Sequence, residues 1–199
     1  MTQVLFFPYP FLAVLFFLIL KILIRRKRGW LYLTILTVFG LYLMLVMDLA
    51  VFPIHLPVDW PVSQPWRSFS LRDHTLINLN PLNLRYLFWY VSSGMGTPIA
   101  IAREIGGNIL LTVPFGLMIN LFHPVPKNRV VWLILGGGLM LEMAQLLILI
   151  FFGPSMHSID INDVLLNALG VWLGWLLYRL VFRGWSLEKL SGSTRQKQP

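Results

Sequence analysis

The sequence predicts an all-α integral membrane protein of about five transmembrane helices, with its amino terminus outside and its carboxyl terminus in the cytoplasm. Three observations predict it. Of 199 residues, 57% are hydrophobic and only 12% are charged, and the mean hydropathy of +0.71 lies far above that of a soluble globular domain. Apolar runs approaching the ~20 residues that cross a bilayer as a helix recur along the chain. The stretches between them are polar and short, so residues 1–185 read as a single membrane domain and the polar, basic tail at 186–199 as a disordered extension.

The spans are expected at 4–24, 30–54, 98–122, 130–152 and 160–182. The first carries its positive charge after the apolar stretch and none before it, the reverse of a cleavable secretory signal, so it is expected to stay as a helix. Direction follows from the cations. "RRKR" at 25–28, Lys127 with Arg129, and the cations from Arg179 onward make eleven on one side, against Arg67, Arg72, Arg85 and Arg103 on the other. The richer side belongs in the cytoplasm, which places loops 55–97 and 153–159 on the outer face. Lys21 can snorkel to the interface from within the first span. The longer outer loop begins "HLPVDWPVSQPW" and later holds "LNLRYLFWYV", too short to span and best read as an interfacial helix with Trp89 and Tyr90 at headgroup level.

The net charge of +8 raises nucleic acid as a partner, but the cations cluster at the ends of apolar runs, where topology accounts for them. No nucleic acid is expected; the lipid bilayer is the partner. The absence of cysteine excludes disulfides, thiolate metal sites and a Cys nucleophile. Gly-x-Ser-x-Gly, His-Glu-x-x-His and phosphate-loop signatures are also missing, no catalytic residue is assigned, and no cofactor is expected.

Polar groups within spans are the functional candidates, because each costs ~2.5 to 3.5 kcal/mol on insertion scales. Glu142 lies ~15 Å below the outer surface at ~1.5 Å rise per residue, with Asn108 of the third span at a similar level. Gln145 and Asn167 lie about one turn nearer the outside. Glu142 with Gln145, Glu104 with Asn108, and Asp160, Asp163 and Asn167 each share a helix face, and Gly170 and Gly174 continue the last stripe. Turning these faces together would form a small hydrated pocket open to the outside.

Blander readings stand beside that one. Asp160 and Asp163 have the spacing of a helix cap and its third-position partner, whereas Asn167 is a full turn too deep to cap. Asn108 and Gln145 also fit as interhelical hydrogen-bond glue, worth ~0.6 kcal/mol on average. Gly170, Gly174 and the "GGG" at 136–138 read as close helix packing. Arg103 and Glu104 receive no catalytic role, and Asp48 fits either the cavity or the interface. His157 reads as a solvated loop residue.

Four stretches carry a resemblance. "INLNPL" (77–82) resembles an Asn-Leu-x-Pro loop through Asn78 and Pro81, and "GNILLTVPFG" (107–116) a Gly-Asn then Pro-Phe-Gly signature through Gly107, Asn108, Pro114 and Gly116. "LEMAQLL" (141–147) resembles a Glu-x-x-Gln helix, and "DINDVLLNALGVWLG" (160–174) an Asp-x-x-Asp-x-x-x-Asn-x-x-Gly ending. In order and spacing these are similar to the VanZ-like family, named after the teicoplanin resistance protein VanZ, over residues 77–180. One departure is His157, where the family commonly has Arg. If that cation holds an anionic group, the exchange would weaken the hold or confine it to acidic pH.

The resemblance implies a multi-pass protein of the bacterial cell membrane associated with reduced susceptibility to glycopeptides such as teicoplanin. The expected function is an outward-facing pocket of Asn108, Glu142, Gln145, Asp160, Asp163 and Asn167, shaped by Asn78 and Pro81. It would bind a lipid-linked cell-wall precursor, another envelope component or a lipoglycopeptide. The rival expectation is an intramembrane metal-dependent hydrolase or transferase acting on a lipid-linked precursor, with Asp160, Asp163 and Glu142 as ligands or as acid and base. Proton-coupled transport through Glu142 is less favoured, since no two matching halves are visible.

Overall fold

The computed structural model describes residues 2–5, 9–25, 29–52, 54–57, 77–81, 92, 97–152 and 159–185. Among the described residues five long helices follow one another: α1 (Tyr9–Arg25), α2 (Trp30–Ala50), α3 (Pro98–Phe122), α4 (Val130–Phe152) and α5 (Ile161–Val181). Four of them, α2 to α5, are long and apolar enough to cross a membrane, while α1 has 17 residues and a shorter apolar stretch. The Trp89 and Tyr90 segment, His157 and the tail lie outside the described residues.

Two expected boundaries are corrected. The first helix begins at Tyr9 rather than residue 4, because Thr2–Leu5 forms strand β1 and pairs antiparallel with β2 (Ile54–Pro57), Thr2 opposite Pro57 and Leu5 opposite Ile54. Pro10 sits in the first turn of α1, where a missing N–H leaves no helix bond unmade. The second helix ends at Ala50 rather than 54, with the N–H groups of both Val51 and Phe52 donating to the Met47 carbonyl. Pro53 has no N–H with which to extend it.

The surface is built for lipid. Phe17, Leu45, Leu110, Trp132, Leu139 and Leu180 all face outward, while Asn120, Glu142 and Asn167 are buried. In water that distribution would be inverted; in a bilayer, apolar residues face lipid and polar ones must find partners inside.

Helix α5 is the centre of the bundle. It runs parallel to α3 at a constant offset of 55 residues: Asn108 meets Asp163 and Thr112 meets Asn167. Small residues let the two backbones touch. A Cβ on Gly116 would collide with the Val171 carbonyl, on Gly170 with Thr112 and the Ile109 carbonyl, and on Gly174 with the Val113 carbonyl. Helix α4 runs antiparallel on another side, with Gly138 against Val164 and Ala168 and Gly137 against Val171. In lipid, where burial of apolar surface drives association little, such close contact supplies the van der Waals attraction that holds helices together.

Aromatic rings join α2 to α3, with Phe39 6.3 Å from Phe115 and 5.7 Å from Phe122, and Tyr32 5.5 Å from Phe122. Pro114 interrupts the hydrogen-bond ladder inside α3, and the Tyr42 hydroxyl of α2 donates to the Leu111 carbonyl in the disturbed turn. Helix α1 leans on α2 where Phe16 covers Gly40.

Candidate functional site

A polar cluster forms where the amino end of α5 meets the carboxyl end of α4, the first half of α3 and the segment around residue 78. Two short strands seed it. β3 (Ile77–Asn78) pairs parallel with β4 (Ile159–Asp160), Ile77 opposite Ile159 and Asn78 opposite Asp160. Backbone pairing thus brings a loop 82 residues away in sequence onto the start of α5.

Asp160 is the hub of this cluster. Its extended backbone makes it the N-cap of α5, and its Oδ1 accepts from the Asn162 backbone N–H and from Asn162 Nδ2, both at 2.8 Å. Its Oδ2 accepts from Asn78 Nδ2 at 3.0 Å, and its own N–H donates to Glu142 Oε2 at 3.2 Å. One residue therefore caps α5, clasps the Asn78 loop and ties α5 to α4. An Asx turn, with the Asn80 N–H donating to Asn78 Oδ1 at 3.1 Å, stiffens the loop, and the Asn80 carbonyl accepts from Asn162 Nδ2 at 3.4 Å. Pro81 follows, exposed.

Glu142, Asp163, Asn108 and Asn167 lie around this hub. Glu142 is 5% exposed, with the charges of both Asp160 and Asp163 in electrostatic reach. Asp163, in the first turn of α5, accepts from Asn108 Nδ2 at 2.5 Å. The capping reading of the two aspartates therefore applies to Asp160, while Asp163 is engaged by α3. Asn167 lies one turn deeper, 1% exposed; its carbonyl accepts from Thr112 Oγ1 at 2.9 Å, and its side-chain Oδ1 is buried with no protein partner.

Gln145 turns elsewhere. Its Nε2 donates to the Ala50 carbonyl at the end of α2, at 2.8 Å, and its Oε1 is buried without a partner. A three-residue step advances 300°, so Glu142 and Gln145 sit ~60° apart and face different neighbours. Asp48 is likewise drawn away, hydrogen-bonded to the Tyr9 hydroxyl. Arg103 is exposed. Of the glycines, Gly116, Gly170 and Gly174 make the close α3 to α5 contact, whereas a Cβ on Gly107 would meet nothing within 4 Å. Among the described residues no group of three His, Cys, Asp or Glu side chains comes together in a way that could hold a metal ion. The three carboxylates that the rival metal-dependent reading would use are engaged separately, Asp160 by the cap and clasp, Asp163 by Asn108 and Glu142 by a backbone N–H.

The sequence reading missed Thr112, Asn120, Asn80 and Asn162. A signal for two of them was present: Asn108, Thr112, Gly116 and Asn120 recur every four residues, one polar or small stripe along α3.

Substituting Asp160 separates its roles. Asp160→Asn keeps a good N-cap but sets an amide donor against that of Asn78, so the fold should hold while the clasp opens. Asp160→Ala loses both and should cost about 1–2 kcal/mol. Hydrogen exchange at residues 77–80 checks this: protection lost in both variants, and helix destabilised only in the alanine one. Unchanged exchange in both would contradict the clasp.

Outward apolar faces on long helices, with carboxylates and amides gathered at one end of the bundle, define a multi-pass helical membrane protein. Within that class, the chain belongs to the VanZ/LLP1 family, whose model matches residues 39–183. The matched region starts within α2 and contains every member of the cluster. Neither a curated protein nor a solved structure matches the chain.

Proposed function

We propose that the cluster around Asp160 faces the outside of a bacterial cell membrane and binds the polar part of an amphiphilic envelope component or lipoglycopeptide of the teicoplanin type. One observation carries the reading: carboxylates and amides from four separate segments, Glu142 and Asn167 buried and the others half-buried, are gathered at one end of the bundle, with the buried Asn167 Oδ1 still lacking a protein partner. A buried acceptor without a partner is costly, and the Asn167 Oδ1 suits the hydroxyl and amine donors of a glycopeptide or sugar headgroup. A lipid chain on the ligand would rest against the apolar flanks of the helices. The family supports the association with teicoplanin, and the cations at the opposite end of the bundle support the orientation.

Because the chain has no cysteine, single introduced thiols report cleanly. In intact cells, a membrane-impermeant maleimide should label Asn80→Cys and spare Lys127→Cys, and teicoplanin should slow labelling at position 80. Labelling of position 127 instead would reverse the orientation. Labelling of position 80 at a rate that teicoplanin leaves unchanged would remove the ligand.

A further inference from the structure

The far end of the bundle carries a cavity lined by cations. This cavity, of about 280 Å³, opens between the α3 to α4 connection and the end of α5, lined by Lys127, Arg179 and Arg183 together with Tyr178, Trp185 and Pro126. Its walls are tied in place from both sides. Asn120, fully buried, donates to the Gly116 carbonyl at 2.6 Å and accepts from the Val125 N–H at 3.0 Å, which fixes the Pro124 to Pro126 wall. On the other side the Tyr178 hydroxyl donates to the Trp185 carbonyl at 2.9 Å. Gly184, at φ 94°, makes the turn that returns the chain over α5. The Arg179 guanidinium rests over the Trp175 ring at 5.0 Å.

The charge of this cavity is one-sided. Among the described residues no carboxylate lines it, and Asp48, Glu104, Glu142, Asp160 and Asp163 all lie toward the opposite end of the bundle. The carboxyl ends of α3 and α5 bring about half a negative charge each, which three full cations outweigh. Topology alone asks for cations near this end, but it does not ask for a braced cavity with Tyr178 and Trp185 in its lining. We propose that this cavity binds a phosphoryl anion, carried by an anionic lipid headgroup of the adjacent leaflet. Arg179 and Arg183 offer forked donors to its oxygens, and Lys127 adds a point charge. The volume lies near the lower end of ligand pockets, suited to a headgroup rather than a whole lipid.

Native mass spectrometry of the delipidated full chain, titrated with phosphatidylglycerol or phosphatidylcholine, tests this. The wild type should prefer phosphatidylglycerol by at least about fivefold, the contribution of a single nearby cation. The double variant Lys127→Gln with Arg183→Gln, which leaves Arg179 in place, should reduce that preference severalfold. Both positions are exposed, so folding should be unaffected. Arg129→Gln, exposed and outside the cavity lining, should keep it. Displacement of phosphatidylglycerol by millimolar inorganic phosphate would assign the same chemistry to a soluble source, and resistance to it would assign the lipid. A wild type without preference, a measurement that needs no variant, overturns the proposal. So does an equal loss in Arg129→Gln, which would reduce the effect to general charge.

Discussion

Alanine at Gly116, Gly170 or Gly174 is expected to lower the melting temperature of the solubilised protein sharply, while alanine at Gly107 leaves it unchanged or raises it. Each of the first three new methyl groups would be driven into backbone or a buried hydroxyl of the partner helix: the Val171 carbonyl, Thr112 with the Ile109 carbonyl, or the Val113 carbonyl with the Leu117 nitrogen. Backbone cannot rotate aside as a side chain does, so α3 and α5 must separate. Overpacking typically costs about 1–3 kcal/mol, and separation also stretches the Asn108 to Asp163 and Thr112 to Asn167 bonds that depend on the same spacing. Against a total stability of about 5–15 kcal/mol, one such change is large. Gly107 has open space around it, and there alanine gains about 1 kcal/mol of helix propensity. Thermal melts of the four variants side by side check the contrast, and equal melting would contradict the tight α3 to α5 contact.

That contact shows how far the sequence could be read. Hydropathy located α2 to α5 within a few residues because lipid demands long apolar runs, and α3 and α4 match their expected bounds. It failed at both ends of the first helical pair, where prolines and strand pairing between Thr2–Leu5 and Ile54–Pro57 replaced the ends of apolar runs. Residues with similar hydropathy are separated there only by tertiary partners.

The polar cluster was legible in its membership more than in its wiring. Periodicity placed Asp160, Asp163 and Asn167 on one stripe, and depth set Asn108 and Glu142 beside them. What spacing could not convey is which neighbour each side chain meets. Gln145 shares a face with Glu142 by spacing yet bonds to the end of α2, because that helix end presents an unsatisfied carbonyl within its reach. Asn78 could be joined to Asp160 only through the parallel β3 to β4 pairing, a long-range contact that leaves no local trace. Thr112 looked like an ordinary helix residue until the α3 stripe was seen against α5.

Glu142→Gln is the second large effect, and it falls on function rather than on folding. The amide oxygen of glutamine can still accept the Asp160 N–H, so the tie between α4 and α5 survives and membrane abundance should match the wild type. What disappears is the carboxylate that shares the cluster with Asp160 and Asp163. If that acidic group recognises the donors of an amphiphilic ligand, the loss is specific: a charge-assisted hydrogen bond is about twice as strong as a neutral one. The deciding measurement is the teicoplanin susceptibility of a sensitive Gram-positive host expressing either the wild-type chain or Glu142→Gln, at abundance matched by an epitope tag. Protection by the wild type that is lost in the variant is the predicted result; equal protection by both, or protection by neither, would contradict a role for this cluster in binding such a ligand.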